Sequence, residues 1–108
     1  MKRGDVVVVV FPGEYGKPRP AVVVQADRYA GEFESVILCP LTTTITKQAA
    51  ARVVIAPTSE NGLESESSIM IEKLAGIPRK RISRVIGQLD EETMRRVDFS
   101  LAVILGLT

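Results

Sequence analysis

The side chain with the clearest chemical potential in this sequence is that of Arg19, where a polar, glycine-rich loop meets an apolar segment. Pro18 and Pro20 flank it, and each proline fixes its own φ and favours extended backbone at the residue before it. The guanidinium therefore leaves from a stiff support, which suits a group that must bind a phosphate at fixed geometry. Arg19 is a candidate phosphate-binding residue. A solvated arginine at the start of a strand is the plainer alternative.

Two further side chains could complete a metal-free site that cleaves RNA through its own ribose 2′-hydroxyl. That reaction needs a base, a group that stabilises charge on the phosphate, and an acid for the leaving oxygen. Thr42 lies in the polar cluster of residues 40–44 and could donate a hydrogen bond to a phosphoryl oxygen. Glu14 is the nearest candidate base, although a carboxyl of pKa about 4 is a weak one. Taken singly, Thr42 is also typical of a strand end and Glu14 of a solvated turn.

Composition excludes several kinds of site. The chain has 108 residues, no histidine, one cysteine (Cys39) and a formal net charge of +1. A zinc site and a Cys/His nucleophile pair need residues that are missing, and neither a Walker loop nor a Gly-x-Ser-x-Gly motif occurs. We therefore expect no metal and no cofactor. Any affinity for nucleic acid must come from a local group of cations, because the overall charge is nearly balanced.

The same composition bears on domain organisation and location. The first apolar run, residues 6–11, is shorter than a signal-peptide core of about 7–15 residues or a membrane helix of about 20. Cys39 has no second cysteine to pair with in the chain, which fits a reducing compartment. We expect one domain over residues 1–108, in the cytoplasm and not in a membrane.

Short apolar segments dominate the secondary-structure pattern. Strands are predicted where β-branched residues concentrate, at residues 5–11, 20–25, 35–39, 52–56, 68–72 and 84–89. Their short connections favour a small antiparallel barrel or a sharply bent sheet over βαβ units. The expected fold class is therefore mainly β with attached helices.

One long helix is predicted near the C-terminus, with Asp90 as its N-cap and Gly106 at its end. Apolar residues recur at helical spacing on the face that should pack against the sheet, at Met94, Val97, Leu101, Ile104 and Leu105. Single helical turns are predicted at residues 27–29, 60–63 and 78–81.

Basic residues gather late in the chain, at Lys73, Arg79, Lys80, Arg81 and Arg84. They could follow the phosphates of an RNA strand, with an affinity that falls as salt rises, or they could form a solvated loop. With only two tyrosines, three phenylalanines and no tryptophan, a broad stacking surface for bases is not expected.

An ordered set of motifs resembles the MazF/PemK toxin family. The set begins with Gly4-Asp5-Val6-Val7 and with Gly-Lys-Pro-Arg-Pro-Ala-Val-Val-Val at residues 16–24, and continues with Pro-Leu-Thr-Thr at residues 40–43. Asn-Gly-Leu at residues 61–63, Ser-Ile-Met-Ile-Glu-Lys-Leu at residues 68–74, Arg-Ile at residues 81–82 and Ile-Gly-Gln-Leu-Asp at residues 86–90 follow. The chain then closes with the helix ending Leu-Gly-Leu at residues 105–107. Each motif is short, but together they cover nearly the whole chain in order.

The resemblance implies a strongly bent, SH3-like antiparallel barrel that works as a homodimer, binds single-stranded RNA and is held inactive by a cognate antitoxin. Such toxins are metal-independent endoribonucleases that cut mRNA at short sequences, leaving a 2′,3′-cyclic phosphate and a 5′-hydroxyl. The family's catalytic arginine, hydroxyl residue and loop acid match Arg19, Thr42 and Glu14. We assign RNA binding to residues near these three, Tyr15, Lys17 and Thr43, and to two late basic residues, Lys73 and Arg81.

Two departures and one rival class accompany the resemblance. The loop before Arg19 lacks a histidine that some members carry, and the Arg-x-Asp pair of other members is replaced by Ile71-Glu72-Lys73. The rival is a non-catalytic, CcdB-like barrel that inhibits a protein target such as gyrase. Those toxins end in Trp-Gly-Ile, whereas this chain has no tryptophan. An inactive RNA-binding module is a third possibility.

Overall fold

Runs of valine and isoleucine form the strands of one antiparallel sheet. The computed structural model describes residues 1–13, 16–46 and 51–108. Its strands are β1 (Asp5–Val10), β2 (Pro18–Val23), β3 (Ser35–Thr42), β4 (Val53–Ile55), β5 (Ser67–Ile69), β6 (Ala75–Pro78) and β7 (Ile82–Gln88), followed by the helix α1 (Glu91–Ile104). Single 3₁₀ turns occupy Asp27–Tyr29, Ile71–Lys73 and Arg79–Arg81. The predicted mainly-β fold with one C-terminal helix is confirmed.

The strands run in the order β4-β5-β3-β2-β1-β7, and β6 also pairs with β3. Both β4 and β7 lie at the ends of this order, so the strands in the described ranges form an open sheet and not a closed barrel. The long strand β3 organises the sheet. One of its edges pairs with β2, and the other pairs first with β6 and then with β5.

Two apolar clusters lie on opposite faces of the sheet. Val6 and Val22 belong to the cluster beneath α1, whereas Val7 and Val9 belong to the cluster on the other face. Because β1 is covered on both faces, its sequence is a continuous run of valines and does not alternate with polar residues. Cys39 lies in the first cluster and is fully buried, and this burial, with the negative charge of Glu72, raises the pKa of its thiol to about 12.

The helix begins where the sequence predicts. The Asp90 side chain accepts a hydrogen bond from the Thr93 backbone N–H at 2.7 Å, which caps the first turn and lowers the pKa of that carboxyl. Met94 and Val97 are buried. The predicted apolar face is wrong for its last turn, because Ile104 and Leu105 are 44% and 53% exposed. The N-terminal half of α1 packs on β4 and on the 3₁₀ turn at Ile71–Lys73. No helix in the described ranges is both long and apolar enough to span a membrane.

Other differences from the predicted elements have local causes. Strand β6 was not predicted, since its short sequence Ala-Gly-Ile-Pro contains two residues that usually interrupt strands. Ile71–Lys73 forms a 3₁₀ turn and not the end of a strand. The predicted helical turn at residues 60–63 is wrong. The Asn61 side chain accepts the Thr58 and Leu63 backbone N–H groups there, both at 3.0 Å, and so builds a turn. The helical turns predicted at residues 27–29 and 78–81 are confirmed, although the second begins at Arg79 because Pro78 belongs to β6.

Candidate active site

Strand register places Arg19 and Thr42 side by side, where β2 begins and β3 ends. Ala21 on β2 pairs with Pro40 on β3, and the two strands are antiparallel. Two residues back along β2 is Arg19, and two residues on along β3 is Thr42, on the same face. Both side chains are half-buried. The local sequence contributes to this arrangement, because the prolines beside Arg19 favour the extended start of β2.

Arg19 and Thr42 line one cavity of about 470 Å³, which we call the Thr42 cavity. Thr43 and Thr44 also border it, as does Lys73. The Thr42 hydroxyl oxygen accepts the Thr44 backbone N–H at 3.1 Å. This contact uses a lone pair of the hydroxyl, so its O–H remains able to donate to a bound anion. The cavity therefore combines a guanidinium, an ammonium and hydroxyl donors, the groups that recognise a phosphate.

A short hydrogen-bonded segment carries Lys73 to this cavity. The Met70 backbone N–H donates to the Pro40 carbonyl at 2.8 Å, and the Lys73 N–H donates to the Met70 carbonyl at 3.0 Å. The neighbouring carboxylate of Glu72 is occupied elsewhere, since Arg52 Nε donates to its Oε2 at 3.0 Å and Arg52 Nη2 donates at 2.5 Å. These hydrogen bonds lower the pKa of Glu72 and keep it ionised. Arg52 thus holds the carboxylate of Glu72, while the residue that borders the cavity is Lys73.

A second cavity of about 330 Å³ adjoins the first, and we call it the Glu64 cavity. Arg19 and Thr43 border both cavities, so the cavities meet at these two residues, and we call the two cavities together the groove. The wall of the Glu64 cavity comes from residues 62–65 and Ser67, and Arg84 projects from β7 into its lining. The apolar part of the lining consists of Val8, Pro18, Pro20, Leu63 and Ile86.

The segment that carries this wall is fixed by Asn61, which is buried. Its side-chain oxygen accepts two backbone N–H groups, as described for the turn above, and its Nδ2 donates to the Ala56 carbonyl at 3.0 Å. Its backbone N–H donates to Thr58 Oγ1 at 3.0 Å. Every polar group of this side chain that faces the protein is therefore satisfied, and the turn has one defined shape.

Two glycines let this segment lie directly on β7. A Cβ built on Gly62 would be 2.1 Å from the Ile86 carbonyl oxygen, and one on Gly87 would be 2.3 Å from the Asn61 carbonyl carbon. Gly62 also has a φ of +70°, which other residues rarely adopt. The motifs Asn-Gly-Leu and Ile-Gly-Gln thus fit against each other backbone to backbone. This contact explains why both motifs need their glycine.

The predicted site residues fall into three groups. Arg19, Thr42, Thr43 and Lys73 come together in the Thr42 cavity. Glu14 and Tyr15 lie outside the described residues. Lys17 is exposed just before β2, Arg81 is half-buried in a 3₁₀ turn, and neither borders the two cavities as the described residues form them.

The late basic cluster is divided between different parts of the surface. Lys73 borders the Thr42 cavity and Arg84 the Glu64 cavity. Arg79 and Lys80 instead line a separate cavity with Phe33, near the start of β3. Among residues that the sequence did not single out, Glu64 and Ser65 border the groove. Their only signal was a polar stretch after the Asn-Gly-Leu motif, which does not distinguish a cavity wall from a solvated loop.

Histidine, cysteine, aspartate and glutamate side chains do not come together in groups of three or more that could hold a metal ion, within the parts of the chain that the structure describes.

Comparison with known proteins identifies the family to which this chain belongs. Residues 2–105 match the family model described as PemK-like, MazF-like toxin of type II toxin–antitoxin system. The chain belongs to this family, so the resemblance seen in its motifs is confirmed.

Individual relatives agree with this assignment. The chain is 40% identical over 108 residues to the "Probable endoribonuclease MazF" of Mycolicibacterium smegmatis, covering 99% of this chain and 98% of the relative. It is 32% identical over 111 residues to the "Endoribonuclease EndoA" of Bacillus subtilis, covering 99% and 96%. A solved mycobacterial endoribonuclease in complex with its cognate antitoxin has the same fold, with a TM-score of 0.83 at 20% identity, covering 100% of this chain and 97% of that chain.

Proposed function

We propose that this protein is the toxin of a type II toxin–antitoxin pair, an endoribonuclease that cleaves single-stranded RNA such as mRNA at specific short sequences. Cleavage proceeds by attack of the ribose 2′-hydroxyl without a metal ion and leaves a 2′,3′-cyclic phosphate and a 5′-hydroxyl. The observation that carries the proposal is the convergence of Arg19 and Thr42 on one cavity. Relatives that match almost the full chain and are named endoribonucleases support it.

Arg19 binds the scissile phosphate and stabilises the charge that grows on it as the 2′-oxygen attacks. A guanidinium can donate two parallel hydrogen bonds to two phosphate oxygens and keeps its charge throughout. Arg19 is the second residue of the paired strand β2 and is half-buried, which supports a preorganised position for its guanidinium.

Thr42 donates its O–H to a phosphoryl oxygen, while the Thr44 N–H holds its oxygen in place. Lys73 and Thr43 contact neighbouring phosphates or sugars from the rim of the cavity. Glu14 is the proposed base, with Lys17, Tyr15 and Arg81 as further RNA contacts. These four assignments rest on the sequence and its resemblance to the family.

The proposal extends to partners and location. We propose an antitoxin as the inhibitor, supported by the solved relative bound to its cognate antitoxin. We also propose a homodimer of a single domain spanning residues 1–108, acting in the cytoplasm. The apolar side chains that α1 leaves exposed, including Phe99 at 69% and Leu105 at 53%, are surfaces that an interface between two copies would cover.

The deciding experiment incubates the purified protein with several long single-stranded RNAs in excess EDTA, beside the Arg19→Ala variant, and maps the product ends. Discrete cuts with cyclic-phosphate and 5′-hydroxyl ends, made by the wild type and lost in a folded Arg19→Ala protein, are expected. Binding of RNA without any cut would indicate an inactive RNA-binding module. Intact RNA without binding would favour a barrel that inhibits a protein target.

A further inference from the structure

We infer that the Glu64 cavity binds the nucleobase next to the cleaved phosphate, and that Glu64 selects a base carrying an exocyclic amino group. This inference rests on the proposed function and deepens it, because it names the residue that sets part of the cleavage sequence. No motif of the sequence points to Glu64. Its assignment comes from its place in the groove.

The position of the cavity determines which nucleotide it can take. Arg19 and Thr43 border both the Thr42 cavity and the Glu64 cavity. When Arg19 and Thr42 hold the scissile phosphate, an RNA strand that continues past Arg19 and Thr43 enters the Glu64 cavity. The nucleotide that lies there is therefore an immediate neighbour of the cut.

The lining of the cavity fits a base better than it fits a second phosphate. Apolar side chains, among them Val8, Leu63 and Ile86, provide a surface for the flat face of a heterocycle. Polar groups stand beside this surface, at Glu64, Ser65 and Arg84. Because Arg19 binds the scissile phosphate, the charged groups left to this cavity are the carboxylate of Glu64 and the guanidinium of Arg84. This opposite pair suits a base edge, which offers both donors and acceptors, better than a phosphate, which the carboxylate repels. In single-stranded RNA that edge is free to be read.

Glu64 and Arg84 are both available to a ligand. Although they line one cavity, they form no ion pair with each other, and neither side chain makes a hydrogen bond or ion pair with any residue in the described ranges. A carboxylate accepts hydrogen bonds and a guanidinium donates them, so Glu64 and Arg84 offer complementary groups to a ligand.

Cytosine, adenine and guanine each offer an amino group to the carboxylate and a neighbouring ring or carbonyl acceptor to the guanidinium. Uracil offers only its ring N–H, flanked by two carbonyl oxygens that a carboxylate repels. The pair therefore discriminates against uracil.

The backbone that carries Glu64 is rigid enough for such discrimination. The close contact of Gly62 with the Ile86 carbonyl and the hydrogen bonds of Asn61 fix the turn two residues before Glu64. On the other side, Ser67, the first residue of β5, donates through its Oγ to the Ser65 carbonyl at 3.0 Å. The backbone at Glu64 is thus held from both sides, which places this carboxylate at a defined point of the cavity rim.

The test uses a pool of RNAs with a randomised segment, cleaved in EDTA by wild type, Glu64→Gln and Glu66→Gln, with the new ends sequenced. For the wild type we expect an amino-bearing base at one position adjacent to the cut. Because a glutamine amide both donates and accepts, Glu64→Gln should admit uracil there and reduce the wild-type preference by roughly tenfold or more. Other positions of the cleavage sequence should not change.

Glu66→Gln is the matched control, since Glu66 belongs to the same polar stretch, is exposed and borders neither cavity. It should cut the same sequences as the wild type. If Glu64→Gln also cuts the wild-type sequences with unchanged preference, the inference is wrong while the proposed function stands. If the wild type makes no cut in any RNA of the pool, the proposed function fails and this inference fails with it.

Discussion

Arg19 and Thr42 lie side by side because the register that pairs Ala21 with Pro40 brings the start of β2 beside the end of β3. The two side chains are separated by more than twenty positions in sequence, yet backbone pairing alone determines that they share a face. Their relation is therefore part of the fold and does not depend on a mobile loop.

This relation predicts that the two residues act as a unit on one phosphate. Arg19→Ala should reduce cleavage roughly 10²–10³-fold, and Thr42→Ala roughly 10–10²-fold. The double variant should lose less than the product of the two single losses, since removing one donor already misplaces the phosphate for the other. Single-turnover rates on a short cleavable RNA measure this, with circular dichroism confirming the fold. Fully multiplicative losses would mean that the residues act at separate places.

Lys73 should contribute affinity more than catalytic rate. Lys73 is exposed at the border of the Thr42 cavity, where its ammonium can attract the phosphates of an RNA strand. Lys73→Ala should weaken RNA binding and lower the slope of log affinity against log salt by about 0.7, the value for one contact to a single strand. Lys80→Ala is the matched control, because Lys80 lines a separate cavity near Phe33. Equal slopes for the two variants would contradict the assignment of Lys73.

The glycine contact predicts a large difference between two glycine-to-alanine variants. Gly62 and Gly31 have φ values of +70° and +83°, so both substitutions strain the backbone. Only at Gly62 does a Cβ also meet the Ile86 carbonyl oxygen, whereas nothing lies within 4 Å at Gly31. Gly62→Ala should lower the free energy of unfolding by about 2–4 kcal/mol and Gly31→Ala by about 1 kcal/mol. Urea denaturation measures both, and equal losses would show that the segment is not closely packed on β7.

Stability should fall in acid. Hydrogen bonds lower the pKa of Asp90 at the N-cap of α1, and hydrogen bonds from Arg52 lower that of Glu72. Groups whose pKa is depressed by folding stabilise the protein above their unfolded values, about 3.9 and 4.3, and that stabilisation is lost as pH falls through the folded values. The free energy of unfolding should therefore decrease below about pH 4.

Asp90→Asn isolates the contribution of the helix cap to that decrease. Asparagine keeps an oxygen for the Thr93 N–H but does not titrate, so its curve of stability against pH should be flatter than that of the wild type. Asp90→Ala should be less stable than both at neutral pH because it loses the cap. Parallel curves for wild type and Asp90→Asn would show that this carboxyl does not contribute to acid unfolding.

Much of this architecture could be predicted from the sequence because its signals are local. Valine runs indicated the strands, and Asp90 indicated the start of α1. Strand β6 could not be predicted, because glycine and proline have a weak strand preference and its pairing with β3 outweighs that preference. The polar turn at residues 60–63 was misassigned because a side chain, Asn61, supplies the hydrogen bonds that a helix would have made.

The site likewise contains residues that the sequence identifies and residues that only the structure reveals. Arg19 and Thr42 could be identified from residue type and motif, and their meeting depends only on strand register. Glu64 could not be found, since its place in the cavity depends on the packing of residues 60–62 against β7, which joins distant parts of the chain. The basic residues 79–84 look like one cluster in sequence, but a 3₁₀ turn followed by a strand sends Lys80 and Arg84 to different cavities.

The reciprocal contact between Asn61–Gly62 and Ile86–Gly87 lets the chemistry of the groove change independently of the stability of the fold. The contact is made by backbone atoms and by Asn61, and it does not involve the side chains of Glu64 or Ser65. Substitutions at those two positions can therefore alter the chemistry of the groove while the frame keeps its shape. A scaffold of this kind can change its target through single substitutions, none of which needs to unfold the protein.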